Sequence, residues 1–502
     1  MTRLIFIWAI AFTLLATVQA TTLTRLFELQ HGSKRKVFNV DKQAPGSKPI
    51  SLTFPQKVDH FNKHNNATFP QRYWVNTTTY RQGGPVIFMN VGEEDASHYV
   101  GYLSGGETSL LAEKLGGVVV VYEHRYYGQS NPVPDLSSQN MIYLNLEQSL
   151  ADMAYFMQSV EIKINGVALP PAPKTPWIPI SASYPGALSA WIKHKYPDLV
   201  FASIASSAPV QAKYYFWEYF EPIRQGAPAH CRDSIINTVK HVDDILFSHN
   251  KRKIQQLKAQ FGMPNVTHND DFAANLIGPV WQWQEIYPGY NNPFLQFCQI
   301  FDNATTVNAQ IAAYASWMTD SAVTNCPSPR TQDECYGSYD ANAHSYTNTQ
   351  LDNSGRSWIW QTCYEFGYWQ SAAPKGHPTL VSRLVTPDYW QRQCPMYFPN
   401  STLLHKPRTE YINKVYGGWN IQDDHIFWIN GEFDPWRALG VNSADAPKRL
   451  SSNKSPDVVI KGAVHGWDDL WSPTEVLPKP LIEVHNEVIL SLTQWLKEFH
   501  AK

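Results

Sequence analysis

The chain has 502 residues, more than one simple core holds comfortably and enough for a large α/β core with an inserted domain. Its 41 Lys and Arg nearly balance 43 Asp and Glu. A net charge of -2 gives no electrostatic reason to expect nucleic acid or an anionic membrane as a partner.

In chain order, the first element is a leader. Arg3 precedes the apolar run LIFIWAIAFTLLA, and Val18-Gln19-Ala20 follows as a small-residue cleavage pattern. This predicts a signal peptide over residues 1–20, cut after Ala20. The run is short for a bilayer span, and no later stretch is long and apolar enough to be one, so no membrane anchor is expected. Residues 21–39, with the basic SKRK, read as a flexible terminus or a trimmed pro-segment.

Two features agree with export. Sequons stand at Asn66, Asn76, Asn265, Asn303, Asn400 and Asn453, the last weakened by Pro456 behind it. The cysteines are Cys231, Cys298, Cys326, Cys335, Cys363 and Cys394. Six cysteines in an exported chain suggest disulfides, with about fifteen connectivities among which the sequence does not choose. There is no C-x-x-C pair and no H-E-x-x-H, so neither a metal nor another cofactor is expected.

Next come alternating elements. PVIFMNV (Pro85–Val91) and VVVVY (Val118–Tyr122) are continuous apolar runs, the signature of strands covered on both faces, with the helical TSLLAEKLG between them. Asn145 is a good N-cap for LEQSLADMAYFMQ, which brings Leu146, Leu150, Met153 and Phe156 near one helix face. TPWIPI leads to Ser183, GALSAWIKHKY reads as a helix, and FASIASSA (Phe201–Ala208) as another buried strand. Such alternation predicts a parallel sheet with helices on both faces.

From residue 214 to 407 strand signals vanish, helical stretches such as DSIINTVKHVDDILF take over, and every cysteine falls here. The expectation is a mostly helical cap inserted between two parts of the core, residues 21–213 and 408–502. IFWIN (Ile426–Asn430), DVVIKGA (Asp457–Ala463) and a final helix, HNEVILSLTQWLKEF, complete the second part.

The chemistry centres on ISASYPGALSAW, residues 180–191. A nucleophile elbow usually reads G-x-S-x-G, yet Ser181 and Pro185 flank Ser183 at the glycine positions. The chain order Ser183, Asp434, His465, each behind a predicted strand, is nonetheless that of an α/β-hydrolase triad. Ser181 is the weaker candidate nucleophile, because Gly186 would then lie too far downstream. Pro185 leaves the Tyr184 amide intact and falls in the first helical turn, where a missing N–H costs little. Pro179 is the harder departure, since a proline in a central strand removes a ladder hydrogen bond, and it is expected just beyond the last paired residue.

SYPGALSAW resembles the SYxGxLxAW segment of the S28 serine peptidases, the family of prolylcarboxypeptidase and dipeptidyl-peptidase II. DHFN, TFPQRYWVN, GGPVIFMNVGEE, EHRYYGQSNP, LEQSLADMAYF, QTCYEFGYWQ, NGEFDPW and GAVH extend the likeness from Asp59 to the C-terminus, most loosely within the insertion. Val464 and Gly466-Trp467 depart from the family pattern around the histidine. The resemblance implies an α/β-hydrolase core under a helical cap, cleavage of peptides after proline, and an extracellular or lysosomal or vacuolar location. It also leaves room for a homodimer formed through the cap.

On that reading Ser183 attacks the scissile carbonyl, His465 relays the proton, and Asp434 orients the imidazole. The Tyr184 amide is one oxyanion donor, and Gly92 or Glu93 supplies the other, unless these two are only a turn glycine and a surface acid. Trp436 walls a pocket for the substrate proline or belongs to the core. Glu123, His124 and Arg125 are assigned structural pairing at a strand end. An esterase or lipase on the same fold, and an inactive glycoprotein that binds proline-containing peptides, stand as alternatives.

Overall fold

The computed structural model describes Leu23 and residues 50–289, 292–402, 405–469 and 477–501. The leader expected over residues 1–20 lies outside the described residues. Eight strands form one twisted sheet: β1 (Leu52–Lys57), β2 (Thr68–Asn76), β3 (Val86–Asn90), β4 (Val118–Tyr122), β5 (Trp177–Ala182), β6 (Ser203–Ser206), β7 (Ile426–Gly431) and β8 (Asp457–Ile460). Their spatial order is β1-β2-β4-β3-β5-β6-β7-β8.

From β4 to β8 all neighbours are parallel, as the alternating signals predict. The other edge differs. β1 pairs antiparallel with β2, and β2 antiparallel with β4. The connection from Val58 to Ala67, closed by Val58 N–H to Ala67 O at 3.0 Å, is too short for a parallel crossover, so the two strands must run in opposite directions.

The apolar runs divide by parity, as a side-chain period of two requires. Val86, Phe88, Val118, Val120, Trp177, Ile426 and Trp428 face one core, while Ile87, Met89, Val119, Val121, Ile178, Phe427 and Ile429 face the other. Helix α1 (Gly106–Leu115) and the final helix cover the second face. The final helix, Lys479–His500, contributes Leu481, Val484, Val488, Leu492 and Trp495 at helical spacing. Helices α2 (Leu146–Ser159) and α3 (Tyr184–Lys195) cover the first face, together with the cap. Each fully buried Val, Leu or Ile contributes roughly 1.5–3 kcal/mol, so both faces are strongly specified. Asn145 caps α2 as expected, accepting from the Gln148 amide.

The residues between β6 and β7 are mainly helical, but not wholly so. Lys213–Tyr215 pairs in parallel with Gly367–Trp369, two strands too short to leave a period in the sequence. Disulfides join Cys231 to Cys298, Cys326 to Cys335 and Cys363 to Cys394. Helix α4 (Ala229–Leu246) carries the first cysteine; α5 (Ser354–Gln361) runs on into a π-helical turn, Thr362–Phe366, that carries Cys363. The core is that of an α/β-hydrolase.

The EHR segment at the end of β4 is buried pairing. Glu123 binds the Arg72 guanidinium, and Arg125 grips Asp152 of α2 with Nε and Nη2, each at 2.6 Å. The remaining Arg125 donors reach the carbonyls of Lys57, Val58 and Tyr143. Both partners are fully buried, and without Arg125 the Asp152 carboxylate keeps only the His60 imidazole, whose Nε2 is 2.7 Å from Oδ1. Arg125→Met should therefore lower stability by about 3–5 kcal/mol, read as a lower urea midpoint, and Asp152→Leu in the same chain should restore only part of it, because His60 then loses its partner.

Candidate active site

Ser183 sits between the end of β5 and the start of α3, with φ 69° and ψ −139°. Such a conformation costs a non-glycine residue about 1–3 kcal/mol and persists only where the surroundings enforce it. Here the Ser183 amide donates to Ser206 O at 3.0 Å, and its carbonyl accepts from Ala187 N–H at 3.0 Å.

Small residues let α3 approach the sheet this closely. A Cβ on Gly186 would lie 2.4 Å from Ser206 O and 2.8 Å from Ser181 O, so this glycine does the work that the two missing elbow glycines usually share. Pro179 lies within β5, not beyond its pairing. It is opposite Phe88, the last register with β3, and pairing with β6 begins at Ile180. The proline thus stands where the strand changes partners, and the Ser181 hydroxyl restores the lost connection by donating to Asn90 O at 2.7 Å.

Asp434 follows β7 and His465 follows β8. His465 Nδ1 is 2.9 Å from Asp434 Oδ1, which also accepts the Trp436 amide at 2.8 Å. A carboxylate facing Nδ1 places the imidazole proton there and leaves Nε2 as a bare base. Nε2 makes no hydrogen bond among the described residues. The end of β6 suspends both the elbow and the histidine loop. Ser206 O holds Ser183, while Ser207 Oγ accepts the Gly466 amide at 2.9 Å. A Cβ on Gly466 would lie 3.5 Å from that of Ala182, so the histidine loop touches the elbow. Val464 is buried, and Gly466 adopts φ 61°, a conformation that favours glycine.

Tyr184 is the first residue of α3, so its N–H has no carbonyl one turn earlier to meet. The two candidates for the second donor differ. Gly92 N–H is already donated to Asn90 Oδ1 at 2.9 Å, which favours the Glu93 amide. Gly92 matters sterically instead, since a Cβ there would lie 2.3 Å from Pro185 Cγ. Glu93 is buried and not a surface acid. A cavity of about 30 Å³ beside the elbow, lined by Glu93, Glu94, Ser181, Pro185 and Asp469, has room for a water or two but not for a pyrrolidine ring.

Trp436 is buried among aromatic rings of the cap, with Phe216 at 5.5 Å, Tyr219 at 5.7 Å and Tyr368 at 5.4 Å. Its ring centre is 6.4 Å from that of His465.

The sequence reading missed how the cap grasps the loops of Asp434 and His465. Trp283 Nε1 donates to Phe433 O at 2.8 Å, Gln284 Oε1 accepts Trp436 Nε1 at 3.0 Å, and Ile286 O accepts Trp467 Nε1 at 2.5 Å. Three bonds, from Trp283, Gln284 and Ile286, thus tie this segment to the loops of Asp434 and His465. The only sequence signal was WQWQEI itself, an aromatic run without partners in view. Asp468 was also missed; it accepts Ser206 Oγ at 2.7 Å, and burial raises its carboxyl above the usual range.

Of the sequons, Asn66, Asn265, Asn303, Asn400 and Asn453 are exposed. Asn76 is half-buried, with its amide nitrogen donating to Leu103 O at 2.6 Å. No described helix is long and apolar enough to cross a membrane.

The family model described as "Serine carboxypeptidase S28" matches residues 56–475. The chain is 33% identical to "Serine protease vicPa" of Bipolaris victoriae over 479 residues, 89% of each chain. It is 31% identical to "Serine protease vicPb" of the same fungus over 480 residues, again 89% of each. A "Probable extracellular serine carboxypeptidase" of Arthroderma benhamiae shares 31% over 535 residues, 96% of this chain and 73% of the other.

Proposed function

The chain belongs to the serine carboxypeptidase S28 family and is a serine-type peptidase, and from that premise we propose that it is an exported enzyme cleaving peptides after proline through an acyl-enzyme on Ser183. His465 takes the serine proton through Nε2 and returns it to the leaving amine. Asp434 holds the imidazole in the tautomer this requires and stabilises its charged form. The Tyr184 amide, with that of Glu93, stabilises the oxyanion.

The observation that carries this reading is a strained serine at a strand–helix elbow that is touched by the loop of a histidine whose Nδ1 is held by a buried carboxylate, although Ser183 and His465 share no hydrogen bond. Neither feature is common in a protein that only binds. Preference for proline is supported by the family and by the aromatic enclosure around Trp436, since a rigid apolar ring suits an aromatic wall. Export is supported by three disulfides and by the extracellular relative.

Peptides with one internal proline, either unblocked or blocked at one end, test the substrate. Mass spectrometry should show a single cut on the carboxyl side of proline, and the blocked set reveals which free terminus is required. Turnover of simple acyl esters with all proline peptides intact would instead assign an esterase.

A further inference from the structure

Tyr184 reaches away from the elbow into the cap. Its ring is buried between Trp358, at 5.3 Å, and Phe366, at 5.7 Å, with His124 of the core at 5.7 Å. Its hydroxyl lies 2.8 Å from Gln361 Nε2 and 3.2 Å from His124 Nε2. Gln361 Oε1 is 2.6 Å from the Tyr127 hydroxyl. Gln361 is the last residue of α5, immediately before the π-helical turn.

The sense of every bond in this chain is fixed. His124 Nδ1 is 2.7 Å from Arg125 O, and a carbonyl can only accept, so Nδ1 carries the proton. Complete burial pushes the His124 pKa down to about 4, which keeps the ring neutral and Nε2 a bare acceptor. The Tyr184 O–H must then donate to His124. Its oxygen must receive the Gln361 N–H, and Gln361 Oε1 receives the Tyr127 O–H. Donation runs one way, from Tyr127 through Gln361, Tyr184 and His124 to the Arg125 carbonyl.

Such a chain bears on the strained peptide beside it. Relaxation of Ser183 toward negative φ would turn the 183–184 peptide and swing the Tyr184 N–H away from the reacting carbonyl. Backbone bonds to Ser206 and Ala187 resist this on the Ser183 side. On the other side the restraints are the first turn of α3, which Tyr184 opens, and the Tyr184 side chain.

We propose that Gln361 and His124 are positioning residues that hold Tyr184 so that its backbone N–H stays aimed at the developing oxyanion, which makes the cap part of the oxyanion hole. The inference rests on the Ser183 acyl-enzyme reading above. A cap displaced from the core would leave the nucleophile intact and the oxyanion donor loose.

Full-length enzyme and a proline peptide test it. Gln361→Met and Tyr184→Phe should each lower kcat about 10- to 100-fold, part of the loss of a whole oxyanion donor, with KM within about threefold. A mere packing anchor would lower the thermal midpoint and leave kcat alone.

Gln361→Glu gives a signature that packing does not. A protonated carboxyl can donate to Tyr184 and accept from Tyr127; an ionised one can only accept. Glu93, Glu94 and Glu365 lie near Tyr127 and Tyr184, Glu365 being paired with Arg408, and Asp152 pairs with Arg125 beside His124. It is therefore the full burial of position 361, with Glu93 and Glu94 nearby, that favours a protonated carboxyl there. The ratio of variant to wild-type kcat should therefore approach one in acid and fall about tenfold per pH unit above the carboxyl pKa, until it reaches the level of Gln361→Met. A flat ratio, or Gln361→Met and Tyr184→Phe with wild-type kcat, overturns the proposal while the wild type still turns over. A wild type without turnover ends the parent reading, and this one with it.

Discussion

Ser183→Ala should lower kcat/KM on a proline peptide by about 10⁴- to 10⁶-fold and abolish covalent labelling by a fluorophosphonate. The fold should survive, because the hydroxyl is not what holds the elbow. The Ser183 amide to Ser206 O and the Ala187 amide to Ser183 O remain in the variant. Alanine has much the same difficulty at φ 69° as serine, so the denaturation midpoint should stay near that of wild type. Ser181→Ala is the matched control. Its hydroxyl donates to Asn90 O within the sheet, and its loss should reduce stability modestly while the label persists. Asp434→Asn adds a third arm: an amide facing Nδ1 favours the wrong tautomer, and the expected loss is about 10⁴-fold in kcat. Wild-type turnover by Ser183→Ala, or a label that moves with Ser181, would remove the assignment of the nucleophile.

Much of this arrangement was legible in the sequence because it rests on local rules. Val118–Tyr122 is apolar throughout because both faces of β4 are covered. Asn145 announces the start of α2 because its side chain takes an orphaned amide. The three candidate catalytic residues were readable from chain order and from their places behind strands. What escaped was long-range. β1 declares no direction, since an antiparallel edge depends on the short return through Val58 and Ala67. Pro179 looked like a defect because a single sequence does not show where a strand changes partners. The disulfide pairing and the bonds from residues 283–286 to the loops of Asp434 and His465 join positions up to 181 apart, where no periodicity reaches. Gly92, one of two candidates beside Glu93 for the second oxyanion donor, is more instructive. It was offered as an oxyanion donor on position alone, but the Asn90 side chain two residues earlier takes its amide, and its absent Cβ makes room for Pro185.

Gly186→Ala should be nearly as damaging as losing the nucleophile's alignment outright, although it adds a single methyl group. Gly186 does not adopt a left-handed conformation, so the objection is purely one of space. The new Cβ would meet Ser206 O at 2.4 Å and Ser181 O at 2.8 Å, and both are backbone atoms of the central sheet. Neither can rotate aside as a side-chain tip would. The start of α3 must therefore lift, carrying Tyr184 and Pro185 with it and pulling Ser183 from Ser206 O. Overpacking of this kind costs about 1–3 kcal/mol, and a displacement near 1 Å at a reacting group costs about 10²-fold in rate. Both effects should appear together: a lower urea midpoint and a kcat reduced about 100-fold or more in the protein that remains folded. Gly278→Ala sets the baseline, since a Cβ there meets nothing within 4 Å and its backbone is not left-handed. That variant should be neutral or slightly more stable. If Gly186→Ala matched it in midpoint and in kcat, the close approach of α3 to the sheet would not be what shapes the elbow, and Ser181 and Pro185 would need another reason to replace the usual glycines.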